Sequence, residues 1–364
     1  MASRDPVAIA TATRLIESAL ERRVFPAAVA EVGDEAGVLW SGAFGTLTFE
    51  SDVAATTSSI FDLASLTKPI ATTSVILQLG ADHLLSLQER LARCIPAWSG
   101  DDRDGATVQD LLEHASGLPA RLVDAPHSTR VEFEHDICTL PLEHPLRSRA
   151  LYSDLGFLLL GFLAADRGMS SLDHLFRRVR ERLVTAVPGP GATDFLSYTI
   201  PQAARQNVAP TDPLPDDARC SRRLIGEVHD NYAAALGGIA GHAGLFGTVG
   251  AVGHFARMLL LGARGNLSVP TPLSPALVST ATTRSGVPGS SRALGWDTML
   301  ATSSCGREMS SAAFGHVGFT GTSVWIDPVR DRYFVLLTNR VCGGGTSDDM
   351  QAIRRAFHNA LASL

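Results

Sequence analysis

The sequence predicts an α+β fold. Three observations carry that reading: strand-like stretches near both ends of the 364-residue chain, a helical pattern between about 80 and 185, and an amphipathic helix at each terminus. In chain order, residues 6–23 read as a helix. Residues 27–47 read as strands, with turns expected at Gly33 and Gly42. Residues 60–64 form an apolar lead-in, after which Leu66, Ile70, Thr73 or Ser74 and Leu77 recur at helical spacing. Residues 157–163 are an apolar run that reads as a buried helix. Six prolines crowd residues 188–215 and mark an irregular segment suited to the rim of a cleft. Residues 314–327 and 332–339, joined by a turn around Asp327, read as a β-hairpin. Its first strand carries Gly315, Gly318 and Gly321, which weaken it but admit a ligand or another backbone. Residues 347–364 place Met350, Ile353, Phe357 and Leu361 on one face of a capped final helix.

Composition narrows the function. A formal net charge of −6 argues against a nucleic-acid partner, and 45% apolar residues supply a globular core. No apolar run approaches the roughly 18–20 residues that span a bilayer. The first 25 residues carry Arg4, Asp5, Glu17, Glu21, Arg22 and Arg23 where a secretory signal needs an apolar stretch. These features predict a soluble, cytoplasmic protein without membrane contact. Five scattered cysteines without a C-x-x-C pair read as reduced thiols. No metal or other cofactor is expected, and oligomeric state is not legible.

Of 31 basic residues, only Lys68 is lysine. Arginine serves wherever a permanent cation is wanted, so a lone lysine marks a place where guanidinium fails, as in proton exchange. Ser65 stands three residues earlier, one helical turn away on the same face. A serine at a helix start has free N–H groups and the positive end of the helix dipole beside it, both favourable to an oxyanion. Pro69 falls in the first turn, where a missing N–H is tolerated. Tyr152, one of four tyrosines, precedes the apolar helix at 157–163. A phenol beside an ammonium is stabilised as phenolate, so Tyr152 and Lys68 together can relay the serine proton.

Ser65-x-x-Lys68, Tyr152-x-Asp154 and His316-x-Gly318 occur in the order and spacing of the three motifs of the penicillin-recognising serine hydrolases. The sequence resembles their branch of class C β-lactamases, D-alanyl-D-alanine carboxypeptidases and esterases. Residues 25–28, 111–119, 226–230 and 241–246 resemble the same branch, so the likeness covers nearly the whole chain. It implies a β-lactamase/transpeptidase-like fold: an antiparallel sheet flanked by helices, from residues 1–80 and 225–364, with a mostly helical lobe, residues 81–224, inserted between. It also implies a small-molecule ester, amide or lactam substrate and acyl transfer through Ser65, with Lys68 and Tyr152 moving the proton. The oxyanion would lie between the N–H groups of Ser65 and Phe319, and Asp154, His316 and Gly318 would line the substrate.

Two positions depart from the family pattern. His316 stands where β-lactamases have lysine and, partly charged near neutral pH, is expected to hold a substrate carboxylate less firmly. Asp154 replaces asparagine, loses the ability to donate to a substrate carbonyl, and favours the ammonium form of Lys68, which makes Tyr152 the resting base. Both lean toward an esterase or peptidase; β-lactamase or D-Ala-D-Ala carboxypeptidase activity and an inactive acyl- or peptide-binding sensor are the alternatives. His114, His229 with Asp230, and His242 lack metal-ligand spacing and read as structural, with His229 and His242 near enough to family-like segments to line the site.

Overall fold

A computed structural model of the chain describes residues 5–122, 127–267 and 273–364. Helix α1 (Pro6–Glu21) begins where Asp5 Oδ1 accepts from the N–H groups of Val7 and Ala8, and it buries Ala8, Ala12, Ile16 and Ala19. Strands β1 (Ala27–Asp34) and β2 (Gly37–Gly45) follow as an antiparallel hairpin. Its turn lies between Asp34 and Gly37, where Asp34 Oδ1 accepts from the N–H groups of Ala36 and Gly37. Gly33 and Gly42, expected to turn the chain, lie inside the strands instead. At Gly33 the glycine serves close approach, since a Cβ there would sit 2.3 Å from the Tyr333 hydroxyl.

The remaining elements in chain order are β3 (Phe61–Asp62), α2 (Ser74–Ala81), α3 (Leu91–Cys94), α4 (Val108–Leu112), α5 (Arg130–Thr139), α6 (Asp154–Gly168) and α7 (Leu172–Ala186). Then come β4 (Leu196–Ser197), α8 (Asn231–Ala235), β5 (Phe246–Gly247), α9 (Val249–Ala263) and α10 (Pro275–Thr282). The chain closes with β6 (Asp297–Thr298), β7 (Phe314–Val317), β8 (Ser323–Asp327), β9 (Arg332–Thr338) and α11 (Ser347–Leu361). The main sheet has the order β2-β1-β9-β8-β7-β6, antiparallel throughout, so strands from both chain ends meet at its centre. A small sheet, β3-β5-β4, lies apart. Residues 314–327 therefore form two strands rather than one, because the chain reverses at Gly318–Thr322. Gly321 turns there with φ +109, and a Cβ on it would meet Thr338 Oγ1 at 2.0 Å.

Side-chain alternation divides the core. Ala28, Ala30, Val32, Trp325, Phe334 and Leu336 pack with α1 and α11, whereas Val29, Val324, Ile326, Val335 and Leu337 face α9 and the helical elements between. Helix α11 carries a capping box between Thr346 and Asp349. Among the described residues no single helix is long and apolar enough to cross a membrane, and the five cysteines are free.

The continuous helix expected from Leu66 to Leu77 is broken into three pieces: a 3-10 turn at Ala64–Leu66, a π-helical stretch at Lys68–Thr73, and α2. Pro69 explains this. It has no N–H to give the Ser65 carbonyl and its ring presses on that carbonyl, so the turn widens.

One polar group interrupts the α9 face of β1. Glu31 is buried in space left by Gly253, where a Cβ would lie 1.8 Å from the carboxylate, and its one hydrogen bond is from Tyr333 Oη at 3.0 Å. Burial pushes its carboxyl from 4.5 up to about 7. Because the folded pKa is raised, wild-type stability is lost as pH climbs through that interval, by roughly 3 kcal/mol in full. Glu31→Gln should therefore gain on the wild type between pH 4.5 and 7.5 in urea unfolding; a stability difference independent of pH contradicts this.

Candidate active site

Asp62 sets the entry to the first motif. Its carboxylate accepts from Ala64 N at 2.8 Å and from His229 N at 2.6 Å, and burial raises its pKa to about 6. Ala64 is held at φ +48, a left-handed conformation costly for a residue with a Cβ, and the next residue is Ser65. Two bonds tie this segment to the turn after β7: Thr320 Oγ1 donates to the Asp62 carbonyl at 2.7 Å and Thr322 Oγ1 to the Leu63 carbonyl at 3.0 Å. From α11, Arg354 donates to the carbonyls of Gly318 and Thr322. The strand end carrying His316, Gly318 and Phe319 is thus fastened beside Ser65.

Lys68 lies fully buried below. Its ammonium donates to Ser65 Oγ at 3.0 Å, to Asp154 Oδ1 at 2.7 Å and to the His242 carbonyl at 3.1 Å. All three protons are committed. Burial opposes the charge, but the carboxylate of Asp154 and then Tyr152 outweigh it and hold the Lys68 pKa above its ordinary value. Nζ lies 4.8 Å from the centre of the Tyr152 ring, and Arg292 Cζ lies 5.0 Å from it. His114 and His316 pack on the same ring.

Ser65, Tyr152, Asp154, His316, Gly318 and Phe319 all line one cavity of about 650 Å3, so the structure brings together the residues singled out in sequence, with Lys68 beneath them. Leu214, from the proline-rich segment, lies on its wall. One of these residues, His316, differs in state from the sequence expectation. His316 is neutral, because burial and then the charges of Arg292 and Lys68 hold its pKa well below 6.5. Its Nδ1 pairs with the Val317 carbonyl at 2.8 Å, and a carbonyl only accepts, so the proton is on Nδ1. Asp154 is not free toward the cavity: Oδ1 is on Lys68 and Oδ2 accepts from Arg121 at 2.9 Å.

Sequence reasoning missed Arg121 and Arg292 altogether. Arg121 follows the family-like segment 111–119 by two residues and carries no pattern of its own. Asp230 and His242 were noted only as separate motifs, yet Asp230 Oδ1 meets His242 Nε2 at 2.7 Å. No cluster of potential metal ligands occurs among the described residues.

The Beta-lactamase family model matches residues 12–357. The chain belongs to the beta-lactamase family. A putative D-alanyl-D-alanine carboxypeptidase of Escherichia coli K12 is 29% identical over 325 residues, 81% of this chain and 72% of the relative. Among solved structures, EstCE1, described as a hydrolase with promiscuous acyltransferase activity, aligns with a TM-score of 0.76 at 15% identity over 98% of this chain and 99% of its own. A beta-lactamase/D-alanine carboxypeptidase from Pseudomonas syringae aligns at 0.75 with 14% identity, over 97% and 98% of the two chains. The fold of this family member is the β-lactamase/transpeptidase-like one.

Gly241 places the third acceptor of Lys68. A Cβ there would lie 1.9 Å from the Phe157 carbonyl of α6, and the Gly241 carbonyl accepts from Thr72 Oγ1 at 2.6 Å. Gly241→Ala should displace the His242 carbonyl by about an ångström and slow fluorophosphonate labelling by about a hundredfold. Labelling at the wild-type rate by a folded variant, checked by circular dichroism, contradicts this placement.

Proposed function

We propose that this beta-lactamase-family hydrolase acts on small esters or peptide-like amides through an acyl-enzyme at Ser65. The observation that carries the reading is the Lys68 ammonium, buried and fully committed as a donor, with one of its protons on Ser65 Oγ. A donor cannot also accept, so the serine proton goes to Tyr152, whose ring centre lies 4.8 Å from Lys68 Nζ and 5.0 Å from Arg292 Cζ. Ser65 Oγ then bonds to the substrate carbonyl carbon. The oxyanion rests on the N–H groups of Ser65 and Phe319, and Tyr152 returns the proton to the leaving oxygen or nitrogen. Water repeats the sequence on the acyl-enzyme and releases the acid.

Substrate preference follows from the second and third motifs. A neutral, buried His316 supplies no charge for a substrate carboxylate, and Asp154, engaged as the counter-ion of Lys68, supplies no donor for an acylamide arm. Uncharged esters lose nothing by either change, whereas β-lactams lose two contacts. Because a carboxypeptidase is among the relatives, D-Ala-terminated dipeptides belong in the same assay as p-nitrophenyl esters and nitrocefin.

Short-chain esters should give the highest kcat/KM of the three; a preference for nitrocefin or for the dipeptide overturns the ester assignment. Ser65→Ala should take no fluorophosphonate adduct by intact mass, and full labelling of that variant removes Ser65 as nucleophile. Lys68→Arg should lose about 10²–10⁴ in rate, nearly as much as Lys68→Ala, since guanidinium cannot reproduce the three-acceptor geometry of a point ammonium. An arginine variant retaining a tenth of the activity means that only charge is needed at position 68.

A further inference from the structure

Five polar residues drawn from distant parts of the chain close a ring, with Arg121, Asp154, Asp230 and His242 on the cavity wall and Lys68 beneath it. Lys68 meets Asp154, Arg121 NH1 bridges Asp154 Oδ2 at 2.9 Å and Asp230 Oδ2 at 3.0 Å, Asp230 holds His242, and the His242 carbonyl returns to Lys68. Arg121 is secured twice more, by NH2 on Asn231 Oδ1 at 2.7 Å and by its guanidinium over the Tyr232 ring. The side chains of Asp154 and Asp230 are only 13% and 16% exposed, so their charges are poorly replaced by solvent, whereas that of Arg121 is 39% exposed.

Neither Arg121 nor Asp230 has a hydrogen bond to Ser65, Lys68 or Tyr152, yet Arg121 is bonded directly to the counter-ion of Lys68 and Asp230 is one bond further on. We propose that Arg121 and Asp230 are positioning residues that set, through Asp154, the charge balance of the Lys68–Tyr152 pair, the first favouring the Tyr152 phenolate and the second opposing it. This rests on the serine-hydrolase reading above. The other charged or titratable groups facing the pair are Arg292, His114 and His316 around Tyr152, and Asp62 and His229 behind Asp230. All of them stay in place in the variants that test the idea.

The sign of each effect is fixed by the change in the ring's charge. Arg121→Gln makes it one unit more negative, so the pH midpoint of Ser65 labelling rises. Asp230→Asn makes it one unit more positive, so the midpoint falls; asparagine also keeps the helix cap that Asp230 Oδ1 provides to Ala233 N. The double variant restores the wild-type charge.

The experiment is the second-order rate of fluorophosphonate labelling at Ser65 from pH 6 to 10, followed by intact mass, for wild type, both single variants and the double. Shifts of about half to one unit in opposite directions are expected, with the double variant returning to the wild-type midpoint. Shifts in one direction, no shifts, or a double variant that does not return overturn the proposal, as those are the marks of a merely structural role. If Arg121→Gln fails to fold, Asp230→Asn decides alone: its midpoint must fall. A wild type that takes no adduct at Ser65 instead removes the serine-hydrolase reading, which separates the two failures.

Discussion

The buried ammonium of Lys68 is the interaction on which the remainder of the site depends. A charge taken fully out of water is costly unless every proton finds an acceptor, and here the three acceptors come from three parts of the chain. Ser65 lies one turn earlier, Asp154 is the first residue of α6, and the His242 carbonyl follows a glycine pressed against α6. Holding those three at once requires the widened turn after Pro69, the close approach of Gly241 to Phe157, and an aspartate at position 154. Each of these local features is unfavourable or unusual by itself, and together they have one common purpose in fixing a cation.

The consequence for chemistry is a division of labour between charge and proton transfer. In the proposed mechanism Lys68 supplies field and alignment, and Tyr152, with cations near its ring, takes the serine proton. His316, expected from the sequence to be partly charged near neutral pH, is instead neutral and hydrogen-bonded to its own neighbour's carbonyl. The third motif therefore contributes the backbone of Gly318 and Phe319 and the wall of the cavity more than it contributes charge. Under the proposed function, such a pocket favours uncharged esters and amides over ligands anchored by a carboxylate.

Much of this was legible in the sequence because the catalytic segments are local. Ser65 and Lys68 are three residues apart, and Tyr152 and His316 sit in short runs with recognisable neighbours, so pattern and chemistry coincide within a few positions. The terminal helices and the closing hairpin were legible for the same reason, through apolar periodicity. What the sequence hid was either tertiary or a matter of backbone geometry. Arg121 and Asp230 meet across 109 positions, which no local pattern encodes. Gly33 and Gly42 were misplaced as turns because a glycine needed for close packing looks the same in sequence as one needed for reversal. Likewise the strand break at Gly318–Thr322 is set by side chains docking onto Asp62 and Leu63, and the π-helical turn follows from a proline that at first sight is harmless in a first turn.

Because Lys68 is the sole lysine among 364 residues, uniform labelling with 15N-lysine gives one side-chain nitrogen signal in the whole protein. Its chemical shift against pH reports the charge on Nζ directly, without substrate. The account predicts an ammonium shift, unchanged from pH 6 to 10, in wild type, and loss of that persistence when Asp154 is replaced by asparagine. A wild-type signal that titrates to the neutral amine below pH 8 contradicts it, and would return the role of base to Lys68.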